Sequence, residues 1–159
     1  MVGWREYVGL PELGADRIKV KVDTGARSSA LHAFNLQIYR DGGEPRIRFE
    51  VHPLQRKSEP IVACTAPLAD QRWIRNSTGQ ETLRPVIETP IELLGQRFPI
   101  ELTLLNRDPM GFRMLLGRQA LRGRFLVDPA HSFFGGRPKR KRRRRPRGAG
   151  TAADTPETK

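Results

Sequence analysis

Apolar residues in this chain recur at every second position, in short runs, and that period constrains the fold more than any other feature. Arg46-Ile47-Arg48-Phe49-Glu50-Val51-His52 alternates without a break, and Phe98, Ile100, Leu102 and Leu104 keep the same spacing. A period of two puts one face of a strand inward, which a helix cannot do. Ile47, Phe49 and Val51 are therefore expected in a core. Thirteen prolines and fifteen glycines interrupt such runs, which predicts many short strands. Asp41-Gly42-Gly43 and Gly95-Gln96 lie between apolar runs and predict hairpin turns. Gly117 to Arg122, just after Met114-Leu115-Leu116, reads as a short helix. The expected architecture is an all-β, mainly antiparallel domain, closed or nearly closed into a barrel, with that one helix.

A length of 159 residues suits one domain with its own core. The single cysteine, Cys64, excludes an internal disulfide framework and fits a reducing compartment. The N-terminal stretch has no signal-peptide pattern and no apolar run approaches a membrane span, so a cytoplasmic location without a membrane partner is expected.

The net charge of +12 is unevenly spread. Residues 137–159 carry ten Lys/Arg against Asp154 and Glu157, a balance of +8, which leaves +4 for the preceding 136 residues. Composition changes at Gly135-Gly136, which divides the chain into a folded domain over 1–135 and a tail over 136–159. The tail has almost nothing apolar to bury and reads as disordered. Its run Arg140, Lys141, Arg142, Arg143, Arg144 and Arg145 suits phosphate contacts without sequence preference, so RNA or another polyanion is its expected partner.

Lys19-Val20-Lys21-Val22 alternates directly into Asp23-Thr24-Gly25. A carboxylate at the end of a half-buried strand is costly unless something uses it. Gly25 lets the backbone turn sharply and brings amides near the carboxylate. Two such turns facing each other would bring two carboxylates within a few ångström. Both could not ionise, so they would share a proton, one acting as base and the other as acid. The plainer reading is an ordinary turn in which Asp23 caps its own backbone.

The pair VDTGA (22–26) and MLLGRQAL (114–121) resembles the two signature pieces of retropepsin-like aspartic peptidases. With GWREYVGLPELG (3–14), STGQETLRPVIETPIELLG (77–95), ELTLLNRDPMGFRMLLGRQAL (101–121) and FLVDPAHSF (125–133), the resemblance narrows. It points to the bacterial RimK-associated family, also called "ATP-dependent zinc" proteases, and spans nearly all of residues 3–134. It implies a retropepsin-like barrel in which the Asp23, Thr24, Gly25 loop is catalytic and the Met114–Gly117 strand threads behind it. The chain has one such triplet, so a homodimer is implied, with Thr24 bonding across the two-fold axis.

Through the RimK-type ligase, which adds glutamates to a ribosomal protein, the resemblance implies an acidic, poly-glutamate substrate, such as a glutamylated ribosomal protein. Ala26, Arg27, Arg84 and Arg118 are the candidate substrate-binding residues, since arginine forks grip carboxylates. Arg75 is a weaker candidate. Their plainer role is pairing with Glu81, Glu88, Glu92 or Asp108. The resemblance also implies a flap, with Asn76, Ser77, Thr78 and Gly79 at its tip. Leu31, Leu102, Leu104, Leu115, Leu116, Phe125 and Val127 are assigned to the core, and burial is the commoner fate of Trp4 and Trp73. The label's zinc and ATP find no support in the residues. His32, His52 and His131 form no zinc-ligand motif, and no Walker-type loop is present, so no cofactor and no metal are expected. Two alternatives stay open: a non-catalytic barrel binding RNA or the ribosome through its basic surface and tail, and a zinc-dependent hydrolase.

Overall fold

The computed structural model describes residues 1–53, 60–75, 77–106 and 111–137. Its elements in chain order are β1 (Val2–Gly3), β2 (Arg5–Leu10), a 3-10 turn (Pro11–Leu13), β3 (Ala15–Asp23), β4 (Ser29–His32), β5 (Phe34–Asp41) and β6 (Glu44–Val51). Then follow β7 (Val62–Arg75), β8 (Glu81–Leu93), β9 (Gln96–Leu105), β10 (Met114–Gly117), α1 (Arg118–Leu121) and β11 (Val127–Asp128). The short helix lies where the sequence predicts it. The tail run Arg140–Arg145 and the flap candidate Asn76 lie outside the described residues, as does Asp108.

Six strands close into a barrel in the order β2-β3-β10-β4-β9-β8, with β8 returning to β2 through Gly9 and Glu92. From β8 the sheet continues through β7 and β6 to β5 as a wing. The alternation holds as expected: Ile47, Phe49 and Val51 are buried, as are Phe98, Ile100, Leu102 and Leu104. Wing and barrel share one apolar core. Leu31, Leu102, Leu104 and Leu116 are fully buried in it, with Phe125 and Val127 packed at its margin.

Three features depart from the sequence reading. The strands β7, β8 and β9 are long and run straight through prolines instead of stopping at them. Pro90 and Pro99 face each other across β8 and β9, beyond the reach of β7 on one side and β4 on the other. Neither missing N–H leaves a partner unpaired there. The β8–β9 turn is Leu94-Gly95, one residue earlier than expected, with both residues at positive φ (50° and 76°). That is the geometry of a tight two-residue hairpin, whose twist matches its strands. Finally, β3 with β10 and β4 with β9 pair in parallel, so the half of the barrel that carries Asp23 is mixed.

Glu6, wholly buried, ties the two ends of the domain together. Its carboxyl oxygens accept N–H bonds from Gly3 (2.8 Å), Phe134 (3.0 Å) and Gly135 (3.2 Å). Arg5 lies over the rings of Trp4 and Phe133, and Arg137 also lies over Phe133. Glu6→Gln keeps the shape but turns an amide NH2 toward backbone donors. Leaving buried donors unsatisfied costs about 1–3 kcal/mol each. A fall in stability of about 3 kcal/mol is expected, read as the midpoint of urea unfolding; an unchanged midpoint would show the clamp to be idle.

Cys64 is buried on the wing, and burial pushes its thiol up to about 11. The reactive thiolate is scarce at neutral pH. Alkylation by iodoacetamide at pH 7.5 is therefore expected only after unfolding, as followed by intact mass.

Candidate active site

Strand β10 lies between β3 and β4, parallel to the first and antiparallel to the second. In this register Gly117 stands opposite Asp23. Residues 24–28 must then cross the end of β10 to reach β4, and three contacts hold them there. The N–H of Arg118 donates to the carbonyl of Ala26 (2.9 Å) and that of Gln119 to Arg27 (3.2 Å). The N–H of Gly117 donates to the buried Ser29 hydroxyl (3.0 Å). A Cβ on Gly117 would sit 2.5 Å from the carbonyl carbon and oxygen of Ser28, so the crossing requires glycine here.

Asp23 is half-buried at the end of β3. Its Oδ1 accepts the N–H of Gly25 at 3.0 Å, and its carbonyl accepts the N–H of Ala26 at 3.2 Å. A Cβ on Gly25 would come within 3.2 Å of Oδ1. The turn thus fixes the carboxyl by a local bond while Thr24 and Gly25 remain exposed. Such an arrangement leaves the other carboxyl oxygen available to a water or to a second carboxyl group.

The arginines separate into different roles. Arg118 reaches back along the loop, its guanidinium donating to the carbonyls of Gly25 (3.2 Å) and Thr24 (3.5 Å). Arg27 is exposed beside it. Arg84 is half-buried on β8, across from Arg72. Arg75 pairs with Glu81 at 3.2 Å, the plainer of its two expected roles, and both groups are well exposed. Arg72, which the sequence reading passed over, forks onto Glu101 (2.8 and 3.2 Å) and also bonds Asp70 (2.8 Å). It lashes β7 to β9, and its bond, with that of the Gln71 N–H, holds the Asp70 carboxyl below the usual range.

A cavity of about 500 Å³ opens beside the loop, bordered by Thr24, Arg27, Arg118 and Arg122. Arg122 and Ser29 carried no signal in the sequence: one is an arginine among many, the other half of a Ser-Ser pair. The β7–β8 hairpin predicted as a flap is present, with Ser77, Thr78 and Gly79 exposed at its turn and Gly79 at φ 84°. Trp73 and Leu83 face each other across it, 67% and 43% exposed. Burial is thus not the fate of Trp73; Trp4 is half-buried against Phe112.

Among the described residues no three His, Cys, Asp or Glu side chains converge as a metal-ligand set. His32 and His52 flank Phe34, with ring centroids 6.4 and 4.3 Å from it, and His131 bonds Asp128 (2.7 Å) elsewhere. Among the described residues these donors do not fit a zinc site.

A closed six-stranded barrel, with an Asp-Thr-Gly turn crossing the end of a strand threaded behind it, defines the retropepsin-like class of fold. The model of the RimB-like family, described as retropepsin-like aspartic endopeptidase, matches residues 1–138, and the chain belongs to that family. It is 48% identical over 130 residues to a probable alpha-L-glutamate ligase of Desulfotalea psychrophila, covering 82% of this chain and 28% of that protein. It is 44% identical over 133 residues to a protein of the same description in Shewanella pealeana, covering 84% and 29%. The chain therefore spans under a third of the length of these relatives. A crystal structure of a Legionella pneumophila protein of unknown function superimposes with a TM-score of 0.69 at 28% identity, covering 84% of this chain and 95% of that one.

Proposed function

We propose that the chain is an aspartic peptidase that acts as a homodimer on glutamate-rich peptides. The observation that carries this reading is the Asp23 turn: a half-buried carboxyl group, fixed by the Gly25 N–H and left open on its other oxygen. Membership of a family described as aspartic endopeptidases supports the reaction type. One carboxyl per chain requires a second copy. With Asp23 facing its own copy, the pair holds one proton. The ionised carboxylate takes a proton from the bound water, and the hydroxide adds to the peptide carbonyl carbon. The other carboxyl gives its proton to the carbonyl oxygen. Collapse of the adduct breaks the C–N bond as a proton passes to the leaving nitrogen.

The substrate class rests on two supports. Relatives at 44–48% identity are described as probable alpha-L-glutamate ligases and are more than three times as long as this chain. A peptidase domain within a glutamate-adding polypeptide has glutamate-rich chains at hand. Arg27 and Arg84 offer guanidinium forks that suit carboxylates, while Arg118 braces the loop from which Arg27 projects. The β7–β8 hairpin would close over the bound peptide and exclude water. The charge run at Arg140–Arg145 favours RNA as a further partner of the tail.

The test compares an α-linked oligo-glutamate with a neutral peptide of equal length, followed by mass spectrometry. Cleavage of the glutamate peptide alone is the expected result. Cleavage of neither, with RNA binding retained, would turn the assignment to a binding barrel. Loss of activity with a chelator, together with stoichiometric metal in the purified protein, would turn it to a metal hydrolase.

A further inference from the structure

The cavity beside the Asp23 loop is bordered by three arginines, Arg27, Arg118 and Arg122, and among the described residues by no Asp or Glu. The side chains of Arg27 and Arg122 make no ion pair among the described residues. Arg118 spends its hydrogen bonds on the neutral carbonyls of Thr24 and Gly25. Leu121, Phe125 and Val127 supply the apolar part of the lining.

This cavity begins at Thr24, adjacent to Asp23. Any dimer that brings Asp23 to its copy must bring Thr24 to the same axis, and the two cavities with it. The arginines bordering the two cavities would then approach one another as water leaves the seam. Their mutual repulsion strengthens as the local dielectric falls. The apolar part of the lining favours closure, while the arginines oppose it. Carboxylates placed between the two copies reverse the sign of the charge term, since each accepts charge-assisted hydrogen bonds from the forks.

We propose that this arginine-lined cavity binds the carboxylates of an acidic peptide and couples that binding to dimer assembly, so that the substrate completes the enzyme that cuts it. The inference rests on the homodimeric reading above. Coupling is reciprocal: oligo-glutamate tightens the dimer by the same factor by which the dimer tightens on oligo-glutamate.

Sedimentation velocity on the full chain carrying Asp23→Asn, which holds its ligand uncut, measures the dimer dissociation constant against added oligo-glutamate. A fall of about tenfold or more is expected, with none for a neutral peptide of equal length. Adding Arg27→Gln and Arg122→Gln should tighten the ligand-free dimer and remove the response. Replacing Arg140–Arg145 by glutamine should leave the response intact. The proposal is overturned if the constant does not move, or if the response survives the Arg27 and Arg122 changes. It is also overturned if the response disappears with the tail charges, or if inorganic polyphosphate matches oligo-glutamate. Cleavage by the wild type, assayed in parallel, separates the two ideas. A constitutive dimer that cuts oligo-glutamate refutes only the coupling. A monomer that cuts nothing refutes the peptidase reading as well.

Discussion

Replacing Asp23 by asparagine is expected to reduce hydrolysis of an oligo-glutamate peptide by about 10³-fold or more, with the fold intact. Proton transfer by a positioned side chain contributes on the order of 10²–10⁴-fold to a rate, and in the proposed dimer a single substitution changes both carboxyl groups. An amide can neither take the proton of the attacking water nor return one to the carbonyl oxygen. Its oxygen still accepts the Gly25 N–H now held at 3.0 Å by Asp23 Oδ1, so the turn survives. The thermal midpoint should stay within about a degree of wild type, since one neutral hydrogen bond replaces one of similar geometry. Activity at wild-type level in Asp23→Asn would remove the carboxyl from the mechanism.

Gly117→Ala should be the most damaging single-methyl change in the barrel. The added carbon would lie 2.5 Å from the Ser28 carbonyl carbon and oxygen, which are backbone and cannot rotate away. Either β10 must leave its register with β3 and β4, or residues 24–28 must lift from the end of β10. Overpacking of this sort costs about 1–3 kcal/mol, and the bonds from Gly117 to Ser29 and from Arg118 to Ala26 weaken with it. At roughly 2–4 °C per kcal/mol for a domain of this size, a drop of about 10 °C in Tm is expected, with loss of activity because the Asp23 loop moves. Ser29→Ala removes one of those bonds without the clash and should cost less. A Gly117→Ala protein with an unchanged Tm would mean that the loop does not cross where the structure places it.

The legible part of this fold is local. Ile47, Phe49 and Val51 point inward because alternation is built into an extended backbone, and no tertiary knowledge is needed to see it. Gly42-Gly43 turns the wing because glycine accepts positive φ. Asp23-Thr24-Gly25 was visible as a candidate site for a similar reason: the triplet, the strand before it and the bond from Gly25 back to Asp23 fall within a few residues. The prolines misled because their effect depends on what lies beside the strand. Pro90 and Pro99 are tolerated where the adjoining strands no longer reach.

Long-range juxtaposition was left to the tertiary structure. Gly117 meets Ser29 across 88 positions, and Glu6 meets Gly135 across 129. No local pattern marks either pair, because parallel pairing of β3 with β10 is decided by which strands can share one core. The same holds for the arginines. Sequence shows the guanidinium groups but not their partners, and it is packing that spends Arg75 on Glu81, turns Arg118 onto the loop and gathers Arg27 and Arg122 at one cavity. The sequence by itself determined a period-two barrel with an aspartate on a glycine turn, since both follow from backbone geometry over a few residues. Only the tertiary structure decided what surrounds that aspartate, since those neighbours arrive from chain segments that meet when the barrel closes.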